Sequence, residues 1–525
     1  MPKQFQIITS PYEAATPELL EKVIAGHAGC RPDDIAKLNI IRRSIDARKR
    51  GCVKLILTVE IFLHGEEMVK PTYDFRFENV RLCPEVVIAG TGPAGLFAAL
   101  KLIECGFKPV LIERGKEVGE RKRDVALLCR GDGLNPESNY CFGEGGAGTF
   151  SDGKLFTRSR KRGDMERILQ LFHFHGASDE ILMDAHPHIG SDALPSVIRN
   201  MRQTIIQCGG EFHFEQKLTG LIIRDGKVSG ITTASGDRFE GCAVVLATGH
   251  SATDIYEMFH RNRYLLEPKA FAAGVRVEHP QKLINEIQYH HSPEMQYLPA
   301  AAYTLATQVG GRGVYSFCMC PGGYIVPAST SADGIVVNGM SPSKRNTAFA
   351  NSGVVVETRI EDTGMFVRNG ALSGLRFQQH IEMLAAQNGG TGQTAPAQRL
   401  VDFVKGRAST SLPACSYLPG IVSSPLHSWL PVWISQRLQE VFTVFDRKMH
   451  GFLSSDAVIV GVESRSSAPV RIPRNVADMQ HPQLPGLYPC GEGSGYAGGI
   501  TSSAIDGENA ALAIANALRT IPVRN

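Results

Sequence analysis

Short apolar runs rich in β-branched residues alternate with helical periods along this chain, and their order is informative. Val86-Val87-Ile88 is a continuous apolar triplet of the kind that fills a parallel strand buried on both faces. Gly90-Thr91-Gly92-Pro93-Ala94-Gly95 follows it, then a helical period over residues 94–105 that Gly106 is placed to end. A second apolar run, residues 109–112, closes on Glu113. A further run at 242–246 leads into Ala247-Thr248-Gly249, and others occupy 457–462 and 486–489. Strand, glycine turn, helix, strand and terminal acid in this register predict a Rossmann-type dinucleotide fold. Gly90 allows the tight turn, Gly92 lets the backbone approach a pyrophosphate, and Gly95 lets helix and strand pack closely. The helix start at Pro93-Ala94 aims N–H groups and partial positive charge at the phosphates. Glu113 is placed to accept from a ribose diol.

The remaining patterning predicts an α/β architecture: a Rossmann-type dinucleotide-binding domain, an inserted mixed β/α substrate domain and a small N-terminal α/β domain. Residues 1–80 form the last of these, with strands at 5–9 and 53–63 and a helix from Pro17 to about Ala25. Segments 84–160, 200–250 and 456–525 are assigned to the nucleotide fold, and 161–199 and 251–455 to the substrate or cap domain. A hairpin is expected at 221–223 and 228–232 around Asp225-Gly226, a dipeptide suited to a two-residue turn. In the cap, strands are expected at 271–278, 323–326 and 334–338, and a helix at 377–386. Ser191-Asp192 is expected to cap a helix running to about Cys208. The apolar stretch 426–445, with Trp429 and Trp433, reads as a core helix, with peripheral membrane contact as its alternative.

Composition narrows the classes. With 525 residues, 43% hydrophobic and 20% charged, the chain is globular with a large core. A net charge of +3 is too small to demand a polyanionic partner. The basic run Arg42–Arg50 reads as a solvated element, with an anionic substrate or RNA as sharper readings, and it lacks the aromatic residues that stack bases. None of the 12 cysteines forms CxxC, and no signal peptide precedes them, so reduced thiols in a cytoplasmic protein are expected. No apolar run reaches the roughly 20 residues that span a bilayer.

Candidate chemistry falls in three places. Beyond the second strand, Arg114 and Arg121 are cations within reach of a pyrophosphate or ribose. The glycine-rich run Asn139–Lys154, with its aromatic flanks, predicts a cofactor-facing loop. Cys490-Gly491-Glu492, then Gly498-Gly499-Ile500, places an acid beside a polyol and a helix N-terminus beside the charge that develops on a reduced flavin. For the chemical step, Cys318 and Cys320 face one side if their strand is extended, too far apart for an easy disulfide. His279 is a candidate proton donor. Arg465 and Arg471 are candidates for an anionic group. The pairs His173/His175 and His186/His188 lack the partner spacing of a metal site, so none is expected.

The runs NYCFGEGGAGTFSDGK (139–154), PHIGSD (187–192), YSFCMCPGGY (315–324), VNGMSP (337–342) and GVESRSSAPVRI (461–472), together with residues 487–507, resemble the bacterial family of uncharacterised FAD-dependent dehydrogenases within the NAD(P)/FAD-dependent oxidoreductase superfamily. The likeness covers nearly the whole chain. It implies FAD and names no substrate. It also implies that Gly145, Gly146 and Thr149 lie along pyrophosphate and flavin, that Leu218 flanks the adenine, that Thr248-Gly249 approach the phosphates, and that Glu492 with Gly499-Ile500 hold ribityl and ring. One departure is Cys141, where an amide-bearing residue is more usual. No second GxGxxG between strand and helix exists for a nicotinamide, so NAD(P)H is a candidate external reductant only. The favoured expectation is an oxidoreductase using non-covalent FAD on a small organic substrate. Its alternatives are an electron relay to a protein or quinone, and an RNA-associated flavoprotein.

Overall fold

Buried β-branched runs pair as expected of a parallel sheet. In the computed structural model, which describes residues 3–66, 73–156 and 163–519, strands Leu487–Pro489, Ala243–Leu246, Glu85–Ala89, Lys108–Ile112 and Glu211–His213 lie in that order in a five-stranded sheet. Every neighbouring pair is parallel. Alternate side chains serve two different cores. Val86, Ile88, Leu111 and Val245 pack on helices Pro93–Glu104, Leu194–Gln207 and Ile500–Arg519. Val87, Val110, Ile112 and Val244 pack on a three-stranded antiparallel sheet that includes Leu218–Arg224 and Lys227–Thr233. Asp225 (φ 49°) and Gly226 (φ 72°) form the two-residue turn between those strands. Both have the positive φ that such hairpin turns need.

The second large layer is a seven-stranded sheet, in the order Ala306–Val309, Arg312–Cys320, Phe349–Thr358, Phe271–Pro280, Val458–Glu463, Ala395–Arg399 and Ile421–Ser423. It is antiparallel except at its last pair. Strands expected at 323–326 and 334–338 are found at Tyr324–Pro327 and Val337–Met340, paired with each other. The stretch 426–445 is two helices, Leu426–Trp429 and Val432–Lys448. The apolar face of the longer one, with Ile434, Leu438, Val441 and Phe445, is buried in the core of this sheet. It is therefore not free to dock on a bilayer. No helix among the described residues is long and apolar enough to cross a membrane.

The N-terminal unit is a three-stranded antiparallel sheet with Lys54–Leu63 at its centre, covered by helix Pro17–Ala28. Its basic run begins on strand Ile35–Asp46, where Arg43 pairs with Asp184 and Glu180; beyond the strand, Arg48 pairs with Asp46. Asp192 does not cap the helix Leu194–Gln207. Its carboxylate accepts from the Ser343 N–H and hydroxyl instead, tying the loop before that helix to the cap segment. The boundary expected at 160/161 lies outside the described residues.

Candidate functional site

A cavity of about 410 Å3 opens between the parallel sheet and the seven-stranded sheet. Local sequence makes its walls. Gly90 (φ 105°) turns where a Cβ would sit 2.3 Å from the Ala247 carbonyl oxygen, and a Cβ on Gly95 would lie 1.9 Å from the Gly90 oxygen. Only glycine fits either position. A Cβ on Gly507 would lie 2.0 Å from the Ala94 oxygen, so helices Pro93–Glu104 and Ile500–Arg519 pack at close range. Their N-termini open side by side into the cavity, through Gly92-Pro93 and Gly498-Gly499-Ile500. Gly92 meets no protein atom nearer than 3.8 Å from a built Cβ, and Gly498 and Gly499 meet none within 4 Å. These positions are bare because the cavity, not the protein, occupies the space.

Most expected cofactor-binding residues line this one space: Gly90, Gly92, Pro93, Ala94, Glu113, Arg114, Gly146, Leu218, Thr248, Gly249, Gly491, Glu492, Gly499 and Ile500. Glu113 does so with its carboxylate already engaged. One oxygen accepts from the Thr91 N–H and hydroxyl, and the other from the N–H groups of Gly115 and Gly143. A carboxylate offers about four acceptor positions, and the protein uses all of them. Glu113 thus clamps the turn to the glycine loop, and a ribose reaches it only by displacing one of these donors. Glu492 accepts from His250 Nδ1 at 3.0 Å. Arg114 is held by Glu137 and Asp254 and lies over the Phe142 ring, 3.9 Å from its centroid.

Six of the expected cofactor-binding and catalytic residues lie off the cavity. Gly95 is at a helix–strand contact. Arg121 is fully buried and donates to the carbonyls of Asn139, Tyr140, Gly143 and Glu144. Burial lowers its guanidinium to about 10. It builds the glycine loop from behind, and Gly143 must lack a Cβ because one would sit 2.4 Å from Arg121 Cδ. Thr149 donates to the Glu144 carbonyl, and Gly145 packs on Thr149 and Ile198, so both shape the loop. Cys320 is buried in the sheet.

His279 falls on the wrong face of its strand. Along Phe271–Pro280, Val275 and Val277 point into the apolar core, and His279 follows them, its Nε2 on the Phe452 carbonyl and its ring against Phe452. Burial lowers it to about 4. The neighbouring Glu278 points the other way and accepts from the Ser416 N–H and hydroxyl. Burial, against those hydrogen bonds, raises it from 4.5 to about 7. Between these values the native state keeps a proton that the unfolded chain releases, so this group's contribution to stability falls as pH rises through that window, by at most about 1.4 kcal/mol per unit. Glu278→Gln should flatten this part of the slope in urea melts across the window. Parallel profiles for variant and wild type would contradict it.

The cap side of the cavity carries residues that patterning did not single out. Asp152 is 1% exposed, accepts from Arg345 at 3.2 and 2.8 Å, and pairs with Lys154 at 3.0 Å. Burial pushes its carboxyl up, but the two cations prevail and hold it at about 2. Lys154 Nζ lies 3.9 Å from Cys318 Sγ and 3.8 Å from Cys320 Sγ. Arg465 lines the cavity, yet its guanidinium is spent on Glu382 at 2.9 Å. Arg471 pairs with Glu267. Lys154 closes the glycine-rich run and was visible as part of it, but its thiol partners are 164 and 166 residues away in sequence. The histidine pairs are held locally: His173 by Tyr73 and Asp179, His175 by Leu171 and Thr204, and His188 by Ser343, while the His186 ring sits edge-on to Phe156. Among the described residues, no three His, Cys, Asp or Glu side chains group to hold a metal.

Cys318 is not in extended backbone. Its φ is +45°, and the pairing with Phe349–Thr358 slips between Phe317 and Cys320. This bulge breaks the register on which the separation of the two thiols was expected. Cys318 lines the cavity, and its carbonyl accepts from Arg276 at 2.9 Å and from the Cys320 thiol at 3.2 Å. The neighbouring Cys320 thiol first, then Lys154 and Arg276, hold Cys318 well below the ordinary thiol value despite burial and Asp152. The neighbouring Cys318, with burial, drives Cys320 well above it.

Residues 270–466, the greater part of the seven-stranded layer, match the description "FAD-dependent protein, C-terminal domain-like". Residues 1–62 match a domain of unknown function, DUF8436. Among solved structures, a mutant E. coli quinol fumarate reductase FrdA shares 12% identity over 84% of this chain and 71% of its own, with a TM-score of 0.37. The flavin-dependent brominase Bmp2 shares 12% over 83% and 80%, also at 0.37. Superpositions this loose carry no inference about the reaction. An "Uncharacterized protein" of Clostridium beijerinckii is 42% identical over 507 residues, 93% of this chain and 94% of its own. With that identity over nearly the full length of both, the chain belongs to the family of this clostridial protein, and its own residues 270–466 match an FAD-dependent domain.

Proposed function

We propose that the protein is an oxidoreductase that holds FAD non-covalently in the cavity and exchanges electrons with a small organic substrate admitted from the cap side. The observation that carries this reading is the pair of helix N-termini, at Gly92-Pro93 and Gly499-Ile500, facing one space through glycines that present no side chain to it. Such termini favour anionic groups. The first suits a pyrophosphate, and the second suits the ring edge that becomes anionic on reduction. Thr248-Gly249 and Gly146 would complete the phosphate cradle. Leu218 would flank the adenine, and Glu492, steadied by His250, would take polyol hydroxyls. FAD supplies two-electron chemistry, and the protein's task is then to orient its partner, exclude water and place protons. Lys154, Cys318 and Asn338 line the wall where a substrate would stand.

The test is direct. Purified protein should show a flavin absorption band with stoichiometric FAD released on denaturation. Under anaerobic conditions, NADH, NADPH and candidate metabolites are added in turn, and bleaching identifies the reductant. Protein recovered colourless, and unable to take up added FAD, would refute the reading.

A further inference from the structure

We propose that Cys318 and Cys320 form a redox-active dithiol that exchanges with a low-molecular-weight disulfide in the cavity, Cys318 attacking as the thiolate and Cys320 resolving. The inference deepens the function proposed above and rests on it for the electrons that would return the pair to the dithiol state. It goes beyond it in naming the substrate class.

Geometry is the first support. At the bulge Cys318 lines the cavity while Cys320 stays buried behind it, its thiol 3.2 Å from the Cys318 carbonyl oxygen. One ammonium, Lys154, stands within 4 Å of both sulfurs. The charged and titratable groups facing Cys318 are Cys320, Lys154, Arg276, Asp152 and Glu463. Both cations favour a thiolate, and Asp152 is already spent on Lys154 and Arg345. A thiolate at neutral pH is the nucleophile in thiol–disulfide exchange. A second thiol under the same ammonium is what distinguishes such a pair from a lone nucleophilic cysteine. The pair does not belong to a metal set, since no further ligand joins it among the described residues.

The step balances. The Cys318 thiolate attacks one sulfur of the disulfide. The substrate S–S bond breaks, and one thiolate leaves beside the Lys154 ammonium and takes the Cys320 proton. The Cys320 thiolate then attacks Cys318 Sγ in the mixed disulfide. A Cys318–Cys320 bond forms and the second substrate thiolate departs. The substrate gains two electrons and the protein dithiol loses two.

The experiment uses the flavin-loaded protein at pH 6.5, anaerobically, with cystamine as the probe disulfide, N-ethylmaleimide as quench and peptide mass spectrometry as readout. The peptide holding Cys318 and Cys320 should lose both thiol hydrogens and escape maleimide, while other cysteines are labelled. Cys320→Ser should trap a stable cystamine adduct on Cys318. An ordinary thiol is only about 1% ionised at that pH, so Lys154→Met should slow the reaction at least about tenfold and move its pH profile upward. Maleimide on both Cys318 and Cys320 after cystamine, in protein that retains its flavin band, would overturn the proposal and leave the flavin reading intact. Disulfide formation in protein without flavin would do the reverse.

Discussion

Gly92→Val should yield a folded protein that contains no FAD. Gly92 has φ −70°, which any residue can adopt, and a Cβ there comes no nearer than 3.8 Å to another protein atom. The fold therefore has no reason to object. The valine methyl groups would instead project into the cavity at the mouth of helix Pro93–Glu104, where a phosphate must touch bare backbone. An affinity loss of at least about a hundredfold, roughly 2.7 kcal/mol, is expected. Flavin content per chain, circular dichroism and thermal melting check it together. Gly92→Ala should fall between the two. A Gly92→Val protein with a full complement of FAD would refute the placement of the pyrophosphate.

Arg121→Met should destabilise the protein by about 3–5 kcal/mol, because it strands buried carbonyls and leaves their loop without its organiser. Four carbonyls, of Asn139, Tyr140, Gly143 and Glu144, lose their donor. Flavin content should fall with it, since Gly146 and Phe142 reach the cavity from the same loop. Arg121→Lys should recover little, because an ammonium cannot span four acceptors as a guanidinium fork does. Denaturant midpoints and flavin content measured on the same preparations decide the matter. Loss of flavin with an unchanged midpoint would mean that Arg121 touches the ligand after all.

Arg121 shows where sequence reading reaches its limit. A cation soon after the second strand is equally suited to a phosphate and to a set of backbone carbonyls. The choice depends on whether the glycine loop lies over it, which is a long-range matter. His279 is similar. Its face was fixed by the register of Phe271–Pro280 against its neighbouring strands, which turns it onto Phe452, and nothing within VRVEHP reveals that partner. Glu113 lines the cavity, but its saturation by Thr91, Gly115 and Gly143 could not be read from spacing. The expected separation of Cys318 and Cys320 assumed an extended strand, and the bulge removed that assumption.

The sequence by itself determined the parallel sheet, the glycine turn, the helix that follows it and the glycines before the last helix. These follow from local rules: β-branched burial, positive φ, and close backbone approach act over a few residues. Only the tertiary structure decided that the two helix N-termini open into one cavity, and that Lys154 stands over a pair of thiols contributed by the seven-stranded sheet. Such meetings depend on chain crossings more than a hundred residues long, where packing of the layers, and no local preference, sets which side chains come within a few ångströms.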